Sequence, residues 1–364
     1  MLIICGLLLF CYLVNQGRLH QTKWSAILIF LAATFVMGWR SAEYGPDSIH
    51  YVFFFEQCSQ LTVQEAWTAV FESDAKDRVF YLVGTILSYW GYTYRGWFVL
   101  IAAVFMGGFC FLMYKRSDDF FLSVFLLIAL GYFYFAMTGL RQSMALGFCF
   151  IAFEFICQRK LWAFLILVAI GGLFHSSGWV FFVMYPLCFV SFNSKYLVLI
   201  LAAPLIAAIF PDLLGAVIRL IAWNDSLESY GYETRGLTIS GYIIEASIFL
   251  FCSFCYVTGK LNNKNVEDNI DSYNQKTSCS ARDDFFLKCA LIALAWGASL
   301  RAFSINIDNF FRIALYFSCY SVFVVPSVLG RLSATERKYA LFIIIPIGTL
   351  FALRAGHYMD FRMF

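Results

Sequence analysis

Arg40, Asp47 and Tyr51 stand in one short stretch, residues 38–51, that follows directly on an apolar run from Trp24 to Met37. A cation, a carboxylate and a phenol placed where a helix leaves the apolar phase point to chemistry on something held at a bilayer face, because ionisable groups beside a span are costly. Asp47 could act there as a general base. The plainer alternative is a polar loop that turns at Gly45-Pro46, with Asp47 steadying the turn. Other polar groups interrupt apolar runs in the same way. Arg141 and Gln142 follow Gly139-Leu140, His175 and Ser176 follow Phe174, and Arg301 and Arg312 flank Asp308; Arg219 and Arg235 bound a further stretch. The planar fork of Arg suits phosphate oxygens and stays charged at any relevant pH. His175 could donate to a phosphate or move a proton near neutral pH. A single such Arg could be snorkelling and a lone His could be a structural donor; several Arg on one side are harder to explain that way.

The elements that must hold these residues are apolar helices. The chain has 364 residues, 61% hydrophobic and 13% charged, with 42 Phe. Soluble domains carry about 25% charged residues, so the composition implies an all-α polytopic integral membrane protein. Apolar segments near 1–14, 24–38, 97–114, 119–138, 144–157, 161–174, 178–192, 196–210, 237–258, 285–303, 310–329 and 339–353 give about twelve transmembrane helices in a single transmembrane domain, 1–364. Lys and Arg mark cytoplasmic loops, here Arg18/Lys23, Lys115/Arg116, Arg159/Lys160, Lys195, 259–284 and Arg331 with Arg337/Lys338. The alternation holds if 39–96 is one outer loop, with an amphipathic helix at about 79–92 lying on the outer face and Tyr81, Tyr89, Trp90 and Tyr92 as anchors. The polar stretch 259–284 reads as a flexible cytoplasmic loop. Residues 1–14 lack a basic start and a cleavage site, which favours a retained helix. On this topology the polar groups named above all fall on the outer side.

Several functions are excluded. The net charge of +3 is scattered and carries no basic run for nucleic acid. Nearly all of the twelve Cys lie in or at the ends of apolar helices, where Cys acts as a small hydrophobe, so no disulfide framework or zinc site is implied. Gly107-Gly108 and Gly171-Gly172 sit inside helices, where small residues permit close packing, and there is no nucleotide-binding glycine motif.

Trp39-Arg40, Gly45-x-Asp47 and Tyr51 after an early span, Gly139-Leu140-Arg141-Gln142 opening a span, and Leu173-Phe174-His175-Ser176-Ser177 ending one resemble the EpsG-type exopolysaccharide and O-antigen polymerases of the Wzy class. The resemblance covers residues 1 to about 192; beyond that it rests on hydropathy, with Asn309-Phe310-Phe311-Arg312 as a late motif. The outer loop with its acidic residue and surface helix also resembles the layout of C-type glycosyltransferases. The resemblance implies a glycosyltransferase of lipopolysaccharide or exopolysaccharide biosynthesis in the bacterial inner membrane, its active site facing the periplasm. It would transfer a growing glycan from polyprenyl (undecaprenyl) diphosphate to a new lipid-linked repeat unit. Donor, acceptor and membrane lipid are then its partners, with a chain-length regulator and a flippase beside it. On that basis Asp47 or His175 is expected as base, Arg40, Arg141 and Arg312 around the diphosphate, and Arg301 more weakly. Tyr51, Gln142 and Ser176 are expected to touch substrate. Arg-based charge stabilisation makes a metal or other cofactor dispensable, although a divalent ion beside Asp47 stays open.

Two rivals remain at this point. A flippase for the same lipid-linked sugar would also need an Arg-lined cavity, but would carry charges along mid-span faces and paired halves. A membrane acyltransferase acting on surface sugars would want a His deep in the membrane beside Asp or Asn.

Overall fold

The computed structural model describes residues 2–16, 19–43, 47–72, 78–209, 239–267, 277–304 and 309–358. Every regular element in them is helical. They group into two compact units, Met1–Phe182 with Ser333–Phe364, and Val183–Leu332.

The first unit is built around α6, Tyr94–Arg116. At about 1.5 Å per residue its length reaches about 34 Å, enough to cross the hydrocarbon of a bilayer. Against it pack α2 (Lys23–Gly38) and α9 (Leu140–Cys157). A side chain on Gly38 would meet Val99, and Gly107 faces Phe30, so α2 runs antiparallel to α6. The α6–α9 contact depends on two glycines. A Cβ on Gly108 would fall on the carbonyl of Gly147, and one on Gly147 would sit 2.5 Å from the carbonyl oxygen of Val104. Backbones therefore touch there, as small residues allow between membrane helices.

Between α6 and α9 the chain forms α7 (Phe120–Ala129) and α8 (Tyr132–Thr138), bent from one another by 59°. Gly131 makes the bend, at φ 82°, a left-handed conformation that side-chain-bearing residues rarely adopt. α10 (Leu161–Phe174) returns antiparallel to α9, with Gly171 close to Ala145. α1 (Leu2–Val14) lies against α2 and α7.

One end of this unit is cationic. Arg116 forms a bidentate pair with Glu154, Nε to Oε2 at 2.7 Å and Nη2 to Oε1 at 3.0 Å, both side chains almost fully buried; Gln158 donates to the same Oε1. Lys23, Lys115, Arg159 and Lys160 belong to the same helix ends. Asp119, which caps α7 by accepting from the Leu122 N–H, also pairs with Arg337 at 3.4 Å.

Residues 39–96 hold more structure than the single surface helix expected from sequence. Three helices form there: α3 (Ser48–Ser59), α4 (Val63–Glu72) and α5 (Arg78–Tyr89). α4 opens with a capping box: Glu65 accepts from the Thr62 N–H and hydroxyl, which holds its carboxyl below the usual range. α5 does not lie free, because Phe80, Leu82 and Thr85 are buried. Only its end, Tyr89-Trp90 and Tyr92, is an exposed aromatic tip.

A 3-10 helix, Ser176–Val183, leads into the second unit. That unit contains α11 (Met184–Cys188), α12 (Lys195–Ile209), α13 (Ile239–Glu267), α14 (Thr277–Phe303), α15 (Asn309–Ser318) and α16 (Ser321–Leu329), packed chiefly around α14. The stretch 259–284, expected as a flexible loop, is helical through Glu267 and again from Thr277; residues 268–276 lie outside the described residues, as do 210–238. The final helix, α17 (Ala334–Tyr358), rejoins the first unit beside α7.

Among the described residues five helices are long and apolar enough to cross a membrane, or six with the bent α7–α8 pair counted as one span. The expected twelve are not reached by that measure. Segments such as α1, α10 and α12 are apolar but short, and 178–192 is a 3-10 turn followed by a five-residue helix.

Replacing Gly147 by Ala should lower stability by about 1–3 kcal/mol through overpacking, whereas Gly6→Ala, with nothing within 4 Å of its Cβ, should be silent. Thermal unfolding in detergent compares them. Glu154→Ala strands the buried Arg116 and should cost about 3–5 kcal/mol in the same assay.

Candidate functional site

Arg40 has no exposed surface. Its Nη1 donates to the carbonyl of Met37 at 2.7 Å, and its Nη2 to the carbonyl of Met137 at 2.5 Å and to Ser48 Oγ at 3.4 Å. The guanidinium lies over the ring of Phe98, 4.3 Å from its centroid. Met37 closes α2, Met137 closes α8 and Ser48 opens α3, so one side chain ties three helix ends to the start of α6. The fork expected at a diphosphate is thus given to main-chain carbonyls.

The three sequence stretches that carry the other candidates meet in one apolar cluster at this end of the unit. Tyr51 and Phe55 of α3, Phe80 of α5, Trp97, Phe98 and Ile101 of α6, Leu140 and Met144 of α9, and Phe174 of α10 pack together. Tyr51 is itself a buried member, edge-on to Phe80 at 5.8 Å, and not an open aromatic wall. Leu140 immediately precedes Arg141, and Phe174 immediately precedes His175. The apolar member of each motif is the anchor, and the polar member is set at the cluster's margin.

At that margin the polar residues differ in exposure. Asp47 is half-buried at the start of α3, where its carbonyl accepts the Tyr51 N–H and its carboxylate is not used as a cap. Arg141 is half-buried in the first turn of α9, and Gln142 beside it is buried. Ser143 bonds back to the carbonyls of Ala136 and Gly139, fixing the step between α8 and α9. His175 ends α10 in an extended conformation, its N–H on the Gly171 carbonyl and its own carbonyl accepting from Gly178. It is half-buried and Ser176 is exposed. Gly178 and Gly172 are close-packed there, which sets the sharp change of direction after His175. Arg95 of α6, not singled out from sequence, stands 5.9 Å from the Trp39 ring at the same end. Among the described residues no three His, Cys, Asp or Glu side chains gather to hold a metal ion.

Arg301 and Arg312 belong to the second unit. Arg312 is exposed on α15. Arg301 lies 4.2 Å from the Phe311 ring and interacts electrostatically with Glu245 of α13, which accepts from the Ser318 hydroxyl at 2.5 Å. Glu245 is absent from the sequence reading, although a lone carboxylate inside an apolar run was a visible signal. Asp308, Arg219 and Arg235 lie outside the described residues.

A protein-family model described as the EpsG family matches residues 23–363. No curated protein and no solved structure matches the chain.

Arg40→Lys loses the planar fork that spans the Met37 and Met137 carbonyls while stacking on Phe98, so it should destabilise the fold by about 2–4 kcal/mol. Arg141→Ala and His175→Ala, at half-buried positions, should each shift stability by less than about 1 kcal/mol. Melting of the purified variants in detergent separates the two groups.

Proposed function

The chain belongs to the EpsG family, and on that premise we propose that it is a polysaccharide polymerase, a multi-pass membrane glycosyltransferase of the Wzy class. In this reading it transfers a growing glycan from polyprenyl diphosphate to the terminal sugar hydroxyl of a lipid-linked repeat unit, at the periplasmic face of the bacterial inner membrane. The observation that supports it most is the shared apolar cluster, in which Tyr51, Leu140 and Phe174 bring the stretches that carry Asp47, Arg141 and His175 to the end of the first unit opposite its Arg116–Glu154 pair and Lys-rich helix ends. Cationic ends belong on the cytoplasmic side, so the gathered end faces outward.

The reaction needs little beyond these groups. The acceptor oxygen attacks the anomeric carbon, the bond from that carbon to the diphosphate oxygen breaks, and the acceptor proton passes to Asp47 or His175. The diphosphate leaves with its growing charge met by Arg141. Arg40 holds the helix ends that set these residues and does not need to reach the lipid. Exposed apolar side chains on α2, α10 and α12, among them Leu31, Phe35, Ile166 and Leu201, suit contact with lipid.

A polysaccharide gel of cells lacking the gene, complemented with wild type, Arg141→Ala or His175→Ala, tests the reading. Both variants should be made at wild-type level yet leave single-repeat caps, long chains falling by about 10²-fold or more. Loss of all repeats with lipid-linked units trapped inside would point to a flippase. An unchanged ladder would overturn the polymerase.

A further inference from the structure

The second unit contains a charged group that the reading above does not use. Gly241 and Glu245 stand one turn apart on α13, and residues spaced by four share a helix face. Arg301 projects from the last turn of α14, and Phe311 and Ser318 come from α15. The Arg301 guanidinium occupies the room left by the missing side chain of Gly241: a Cβ there would lie 2.5 Å from both Nε and Nη2. Its plane lies over Phe311 at 4.2 Å. Ser318 holds Oε2 of Glu245 at 2.5 Å. α14 and α15 meet closely at this level, since a Cβ on Gly297 would strike the Ser318 hydroxyl.

Opposite charges are therefore positioned side by side in apolar helices, each fixed by its own support. They do not close on each other: among the described residues no direct ion pair joins Arg301 to Glu245, and Nη1 of Arg301 is buried without an acceptor. A buried guanidinium N–H without an acceptor is a costly arrangement. The contrast with Arg116 and Glu154, closed fork to carboxylate, lies within the same chain. Gly241, Glu245, Arg301 and Phe311 are each only partly buried, so the group borders accessible surface, with Nη1 itself covered.

The chemistry selects the visitor. It must accept from a guanidinium and suit a carboxylate next to it. A diphosphate accepts but brings further negative charge towards Glu245, and like charges repel. A hydroxyl accepts from Arg301 and donates to Glu245 at once. We propose that Glu245 and Arg301 form a subsite for the neutral hydroxyls of a sugar residue in the glycan, so that Arg301 reads sugar and not phosphate. The assignment of the sugar to a glycan substrate rests on the polymerase reading; the preference for a hydroxyl over an anion does not.

Two probes separate the possibilities: repeat-unit oligosaccharide released from its lipid by mild acid, and polyprenyl diphosphate without sugar. Binding of each to the purified full-length protein in detergent is compared for wild type, Glu245→Gln, Arg301→Gln and Gly241→Ala. The last keeps both charges but displaces the guanidinium, whose flexible end can move aside without unfolding the helix. All three variants should bind the oligosaccharide about tenfold or more weakly and retain wild-type affinity for polyprenyl diphosphate, which also reports that they are folded. Unchanged oligosaccharide binding in the variants, or none by wild type, would overturn the subsite. Weakened polyprenyl diphosphate binding in Arg301→Gln, with unchanged or tighter binding in Glu245→Gln, would overturn it in favour of an anion site. Failure of the wild type to extend lipid-linked repeats, with the binding pattern as expected, would remove the polymerase and leave the sugar subsite standing.

Discussion

A guanidinium that water does not reach must find its acceptors inside the protein, and Arg40 finds them where helices stop. The last carbonyls of a helix have no partner within it and carry the negative end of its dipole. Met37 and Met137 are such carbonyls, on α2 and α8, and both turn towards the same side chain. One cation therefore satisfies two helix termini and brings them beside Phe98 at the beginning of the central helix. The rest of that end is built around this contact. Ser48 at the start of α3 accepts from the same guanidinium, Ser143 fixes the step into α9, and the aromatic cluster fills the space between.

The residue types marked these stretches as polar interruptions of apolar runs, but not the use of Arg40 between helix ends. Each motif pairs a polar residue with an apolar neighbour: Leu140 with Arg141, Phe174 with His175. Residue type alone marks the polar members as unusual in apolar surroundings, and it is their neighbours that do the gathering. Exposure was not visible. Arg40 and Arg141 look alike in sequence, yet one is wholly enclosed and the other half-open, because enclosure depends on which helix ends converge. Within 39–96 the sequence suggested one helix, at about 79–92, and the structure has three. The stripe of Tyr51, Phe55 and Cys58 has helical spacing and is buried as such, but frequent aromatic and acidic residues masked the pattern. The span count differs because apolar runs were read as crossings, while among the described residues five or six helices have the length and composition to cross.

Glu154 and Glu245 show how far sequence reading reaches for a buried charge. Both are carboxylates in strongly apolar helices and both ask for a cation. The cations, Arg116 and Arg301, are remote in sequence and found only once helices pack. One pair is closed, bidentate and enclosed, and acts as a rivet. The other is held apart by Ser318 on one side and by Phe311 and Gly241 on the other. Closed and open pairs built from the same residue types have opposite uses: the first fixes a helix contact, and the second keeps its hydrogen-bonding capacity for something else.

The route of the chain through its two units has a consequence for how it is made. The first unit is left at Phe182 and completed only when Ser333–Phe364 returns to it, where Arg337 reaches Asp119 and a side chain on Gly348 would run into Phe125. A ribosome delivers α7 long before α17, so the flank of α7 waits while the whole intervening unit is synthesised and inserted. During that interval the nascent protein presents an unfinished apolar wall to lipid or to an insertion chaperone. Completion of the first unit is thus deferred until the second has been made, and a chain cut short near residue 333 would lose a wall of its first unit and not merely a tail.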